Sequence, residues 1–168
     1  RASTAVGGSI HAAELALAGR VVFHPSGGTH HGRPDRASGF CYFNDLAVAA
    51  RAMLHEGRVK RVAIVDLDVH QGHGTAAIFR GDPAVFTLSI HQESNYPVPK
   101  EHGTLDVGLD DGTTDEAYLA ALAGALMGPA PTPPPPAPTD ASGDDIFLLT
   151  TSVSPLVVLL LDNSRSME

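Results

Sequence analysis

The chain has 168 residues, of which 43% are hydrophobic, and a formal net charge of −8. That length suits one domain of ordinary size, or part of a larger one. The absence of any Lys/Arg run argues against direct nucleic-acid binding, and the longest apolar stretch, residues 156–161, is far short of the roughly 20 residues a membrane-spanning helix needs.

In chain order, residues 12–18 read as a helix, with Gly19 as its stop. Residues 20–24 read as a short strand, followed by the turn-rich Pro25-Ser26-Gly27-Gly28. Residues 44–56 form an amphipathic helix pattern. Leu46, Ala49, Ala50, Met53 and Leu54 share one stripe, Asn44 can cap the start, and Gly57 ends it. Residues 60–67 hold Val62, Ala63, Ile64 and Val65 in succession, which suits a strand buried on both faces. A short helix at 76–79, an apolar strand at 84–90 and an Ala/Leu-rich helix at 114–127 complete the pattern. Strands alternating with helices predict a parallel sheet covered on both sides. In such sheets ligands bind beyond the carboxyl ends of the strands.

Residues 129–138, PAPTPPPPAP, predict extended polyproline II and mark a boundary. The expected organisation is therefore a domain over 1–127, a Pro-rich linker over 128–144 and a tail over 145–168. No basic start followed by an apolar run and a small-residue cleavage site is present, and Cys41 is the single cysteine. A reducing compartment, cytoplasm or nucleus, is expected rather than secretion. An acidic surface suits a cationic substrate such as a lysine-rich tail or a polyamine.

Nine histidines are the informative count, and most fall between His24 and His102. In Asp66-Leu67-Asp68-Val69-His70, residues two apart point the same way in an extended chain, so Asp66, Asp68 and His70 project together. Carboxylate plus imidazole suits zinc, although two ligands fall short of the usual three plus water; ordinary caps at a polar strand end explain the pattern equally well. His30-His31 follows Gly27-Gly28, glycines that let the backbone approach a ligand. Such a pair can exchange protons near neutral pH, or simply occupy an exposed loop. Gly39-Phe40-Cys41-Tyr42-Phe43-Asn44-Asp45 reads either as the wall of an apolar slot or as a hydrophobic staple entering a helix. Cys41 reads as a small buried residue rather than a nucleophile.

Together these segments, with Ser89-Ile90-His91-Gln92, resemble the histone deacetylase superfamily in order and spacing from about Gly8 to about Met127. Gln71 after His70 is similar to the class IV and bacterial branches. The resemblance implies an α/β, three-layer arginase/deacetylase-like parallel sheet with helices on both faces, here incomplete. It implies zinc ligation by Asp68 and His70. It makes His31 the general base and acid, and has His30 help hold the oxyanion and water. Asp66 would orient the first histidine and, with Ser89, bind a structural K⁺ or Na⁺. Gly39, Phe40 and Tyr96 would line the channel for the acyl-lysine stem. The implied substrate is an acetyl-lysine protein, such as a histone, or an acetylated amine.

Two departures follow. His73 stands where the family usually has Asp or Asn as partner of the second tandem histidine. The family's Gly-Ala-Asp segment, source of the third zinc ligand, and its Gly-rich loop bearing a tyrosine have no counterpart in this sequence. Weak zinc binding and poor deacetylation are therefore expected of this chain. The alternative is a catalytically inactive deacetylase-like fragment or binding module. An arginase-type hydrolase shares the fold, but its binuclear metal motifs are not evident. The tail from Leu156 to Met167 resembles the start of a von Willebrand factor A domain, where Asp162, Ser164 and Ser166 would hold a divalent cation.

Overall fold

In the computed structural model, residues 1–127 and the strand at 158–161 are described. The elements are α1 (Ala2–Ala16), α2 (Asp45–His55), β1 (Val62–Asp66), α3 (His73–Ile78), β2 (Val85–Gln92), β3 (Leu105–Leu109), α4 (Asp115–Met127) and β4 (Val158–Leu161). The expected linker at 128–144 and the Asp162, Ser164 and Ser166 set lie outside the described residues. Among the described residues no helix is long and apolar enough to cross a membrane.

The four strands form one sheet in the order β3-β2-β1-β4, and every pairing is parallel. β1 and β2 are buried almost throughout, which is why their sequences are continuous apolar runs rather than alternating ones. Successive side chains still point to opposite faces. Val62, Ile64 and Val85 pack with Ala13 of α1, with Leu46, Ala49, Ala50 and Met53 of α2, and with Phe79. Val65, Leu88 and Ile90 face the other way, toward Leu105, Val107, Tyr118 and Leu122. Helices thus cover both faces, giving the expected three layers.

α2 starts as its sequence predicts, with the Asn44 side chain accepting from the Ala47 backbone N–H. Two expectations are corrected, and one strand is added. The first helix begins at Ala2 rather than Ala12, because packing of the helix as a whole against α2 offsets the poor propensity of Gly7 and Gly8. Residues 20–24 are not a strand: Val21 and Phe23 are exposed, and no neighbouring strand among the described residues pairs with them. Strand identity here needs a hydrogen-bonding partner that propensity alone does not supply. Conversely, β3 went unread, because Leu105-Asp106-Val107-Gly108-Leu109 mixes an acid and a glycine into the pattern.

Ile64, 1% exposed, lies at the centre of the first core cluster. Ile64→Ala should cost ~2–5 kcal/mol, read as a lower urea midpoint at unchanged slope.

Candidate active site

The carboxyl ends of β1 and β2 are brought side by side by a register that sets Asp66 opposite Ser89. From β1 the chain runs through Asp68 and His70 into α3. A second loop, residues 27–32, descends onto the same edge and carries His30 and His31.

Asp45 builds that second loop. It is fully buried in the first turn of α2, and its carboxylate accepts from the backbone N–H groups of Gly28 (3.1 Å) and Thr29 (2.7 Å), from the Thr29 hydroxyl (2.6 Å) and from Ser9. A buried carboxylate is tolerable when it is hydrogen-bonded this fully and sits at a helix N-terminus. Asn44 adds bonds from its amide to the His30 and Gly32 carbonyls and to Thr75. Sequence reading credited Asn44 with a cap and passed over Asp45. The available signal was an acid in a first helical turn downstream of a Gly-Gly turn with donors to satisfy.

Asp66, 2% exposed, is where the two loops meet. His30 Nδ1 lies 2.6 Å from its Oδ2, and its Oδ1 accepts from the Asp68 backbone N–H at 3.1 Å. Asp68 Oδ1 is 3.0 Å from His70 Nδ1 and 3.8 Å from His30 Nε2. The His30 and His31 ring centroids are 3.9 Å apart, and His31 is edge-on to His70 at 5.8 Å. His30, His31, Asp66, Asp68 and His70 therefore share one side of the sheet edge. Ser89 is also there, but its hydroxyl is engaged by His91 Nδ1 (3.0 Å) and the Gly72 N–H (3.4 Å).

The two histidines differ electrostatically. Burial alone would lower the pKa of His30, but the charge and hydrogen bond of Asp66, helped by Asp68 and Asp45, outweigh it and raise the pKa above its ordinary 6.5. Burial and three neighbouring imidazoles, His30, His73 and His70, push His31 down to about 3. The nearby Gln71 carbonyl favours its charged form weakly but lies outside hydrogen-bonding geometry, and His31 Nδ1 is buried without a partner. His73 stands beside that nitrogen with its ring stacked at 4.9 Å, not accepting a bond from it.

The residues expected to line a channel divide. Ser38 and Cys41 pair across a two-residue turn in which Gly39 and Phe40 both have positive φ, 52° and 63°. Gly39 is obligatory in space as well as in φ, since a Cβ there would penetrate the His31 ring. Phe40 stands wholly in solvent, with Tyr42 and Phe43 also exposed, so these aromatics neither staple the helix nor fill a buried slot. Cys41 is buried, and burial raises its thiol pKa, as an inert packing residue requires. Tyr96 lies edge-on to His31 at 5.1 Å and to His70 at 6.3 Å.

A further tie was invisible in sequence. The Gln71 amide donates to the Glu101 carbonyl (2.7 Å) and Asp106 (3.0 Å), and Glu101 pairs with Arg33 at 3.0 Å and with Arg80. These contacts join the loop after β1 to the loop after His31 across a sequence separation that no local pattern could reveal.

As for metal, Asp68 and His70 are of the right kind for zinc, a carboxylate and an imidazole meeting at one point. They are not of the right number: among the described residues no group of three or more His, Cys, Asp or Glu side chains is arranged to hold an ion.

A parallel α/β sheet with histidines and aspartates gathered on its carboxyl edge defines the class, a hydrolase-type fold of the arginase and deacetylase kind. The histone deacetylase domain matches residues 1–132, and the chain belongs to that family. An uncharacterised protein of Picosynechococcus is 52% identical over 123 residues, covering 73% of this chain and 41% of that protein. The structure of a histone deacetylase homologue complexed with SAHA superposes with a TM-score of 0.69 at 36% identity, over 75% of this chain and 37% of that one. An acetylpolyamine aminohydrolase from Burkholderia pseudomallei superposes with a TM-score of 0.62 at 29% identity, over 73% of this chain and 40% of that one. The chain thus spans about two-fifths of the length of these proteins.

Two outcomes follow for the metal-free chain. Asp66→Asn removes the charge that keeps His30 basic, so the His30 pKa should fall below 6.5, followed by imidazole NMR. For His31 the folded pKa is depressed, so between pH 6.5 and about 3 the unfolded chain binds a proton that the folded chain refuses. Stability should therefore fall as pH drops through that window. His31→Asn should shrink the difference between urea midpoints at neutral pH and at about pH 5.

Proposed function

We propose that this chain carries the proton-handling part of a zinc-dependent deacetylase site, acting on the acetamide of acetyl-lysine in a histone or other protein, or of a related acylated amine. The observation that supports it is the meeting of the Asp66-anchored His30 with His31, Asp68 and His70 at the carboxyl edge of β1.

In this reading His31 takes a proton from the attacking water and returns it to the leaving amine. His30, fixed by Asp66, is a hydrogen-bond donor toward the substrate's carbonyl oxygen. Gly39, Phe40 and Tyr96 flank the stem of the acyl amine. Asp66 and Ser89, neighbours in register, are the pair for a K⁺ or Na⁺. Asp68 and His70 are the zinc donors. What zinc supplies in such sites is Lewis acidity toward the amide carbonyl. With two donors the described residues do not complete a zinc site, so catalysis by this chain is impaired. The SAHA-binding homologue and the acetylpolyamine aminohydrolase support the two substrate classes equally, and the net charge of −8 suits a cationic substrate of either class. The second reading, a non-catalytic deacetylase-like module, is favoured by the same two-donor count.

Zinc titration separates them. Weak binding abolished by Asp68→Ala or His70→Ala is expected, and binding indifferent to both would overturn the metal assignment. With stoichiometric zinc, turnover of an acetyl-lysine peptide or an acetylated diamine should lie at least about 10²–10³-fold below a complete site, the cost of one missing oxyanion donor. Robust turnover that vanishes in His31→Ala would refute the impairment and establish the enzyme.

A further inference from the structure

The Ser38 hydroxyl links the turn bearing Gly39 and Phe40 to the loop bearing Tyr96. Its Oγ lies 2.9 Å from Tyr96 Oη and 3.1 Å from His73 Nε2. His73, 3% exposed, is anchored in turn by its Nδ1, 3.4 Å from the Gln71 carbonyl.

The direction of this chain of bonds follows from donor chemistry. A carbonyl oxygen only accepts, so His73 Nδ1 must carry the proton and Nε2 must accept. Ser38 then donates its single hydrogen to Nε2, and Tyr96 Oη donates its own to Ser38. Every polar atom of the relay is satisfied in this order. Reversing it sets a lone pair of His73 against the lone pairs of Gln71.

We propose that Ser38 is a positioning residue that, anchored on His73, ties the Gly39–Phe40 turn to Tyr96 across the mouth of the site and commits the Tyr96 hydroxyl proton to that tie. Two consequences follow. The separation of the two walls is set by a hydrogen-bonded bridge. Tyr96 serves as a wall and is withheld as a proton donor to substrate, even though its ring borders His31 and His70. His73, standing where the family usually has a carboxylate or amide, thus works outward on the channel through Ser38, and this accounts for a His31 Nδ1 left without a partner. The inference rests on reading Gly39, Phe40 and Tyr96 as channel walls, but its test needs neither metal nor turnover.

The test is histidine side-chain ¹⁵N NMR on the metal-free full chain, with His73 assigned by its loss in His73→Asn. The wild type should hold His73 in the single Nδ1–H tautomer. Ser38→Ala should leave that tautomer, which the Gln71 carbonyl fixes, but move the Nε2 ¹⁵N shift toward that of an imidazole nitrogen with no hydrogen-bond partner, and speed amide exchange at Cys41, across the turn, by roughly three- to tenfold, the equilibrium factor for one net hydrogen bond. Ser38→Thr keeps the hydroxyl and should preserve both readouts. Tyr96→Phe should keep the tautomer but speed the exchange, and it decides the case if Ser38→Ala does not fold. A wild-type His73 protonated on Nε2, or exchange at Cys41 unmoved by both Ser38→Ala and Tyr96→Phe, would overturn the proposal. Both readouts are taken without zinc or substrate, so the deacetylase reading stands or falls separately.

Discussion

The buried carboxylate of Asp66 is the joint on which the site depends. It sits at the last position of β1, where the parallel ladder ends, and it holds His30 on one side and the Asp68 backbone on the other. A charge so deeply placed survives because the groups it binds are donors, one of them an imidazole that the carboxylate itself makes more basic. Removing the carboxylate would cut the direct bond between the two loops. Gly72 reflects the same constraint, since a Cβ there would collide with Asp66 Oδ2.

Around this joint the site is asymmetric. His30 is tied to a carboxylate and His31 to none, so two adjacent imidazoles of identical intrinsic chemistry are driven in opposite directions. Environment, not residue type, assigns which ring of such a pair holds its proton more tightly. Asp45 performs the structural counterpart of the same task. It uses a carboxylate to gather backbone donors of the 27–29 turn, without which the histidines would have no fixed approach to the sheet edge.

The metal chemistry is bounded by count. A carboxylate and an imidazole meet at Asp68 and His70, and the stretch that this chain shares with its relatives covers about two-fifths of their length. The edge therefore gathers histidines and aspartates without, among the described residues, a set of three or more arranged to hold an ion.

Much of this was legible in the chain itself. The alternation of apolar runs and amphipathic stripes determined a parallel sheet layered by helices, and the two-residue spacing of Asp66, Asp68 and His70 determined that they would project together, because both periodicities are local consequences of backbone geometry. Placement across the sheet was decided only by tertiary structure. Val21 and Phe23 have the composition of a strand yet find no partner, and β3 has a partner despite its Asp and Gly, since pairing is a property of neighbours and not of propensity. The anchoring of Gly28 and Thr29 on Asp45, of Gln71 on Glu101 and of Ser38 on His73 and Tyr96 spans 16 to 58 residues of sequence. Such bonds are decided by where loops fall once the sheet has formed, and no local pattern encodes them.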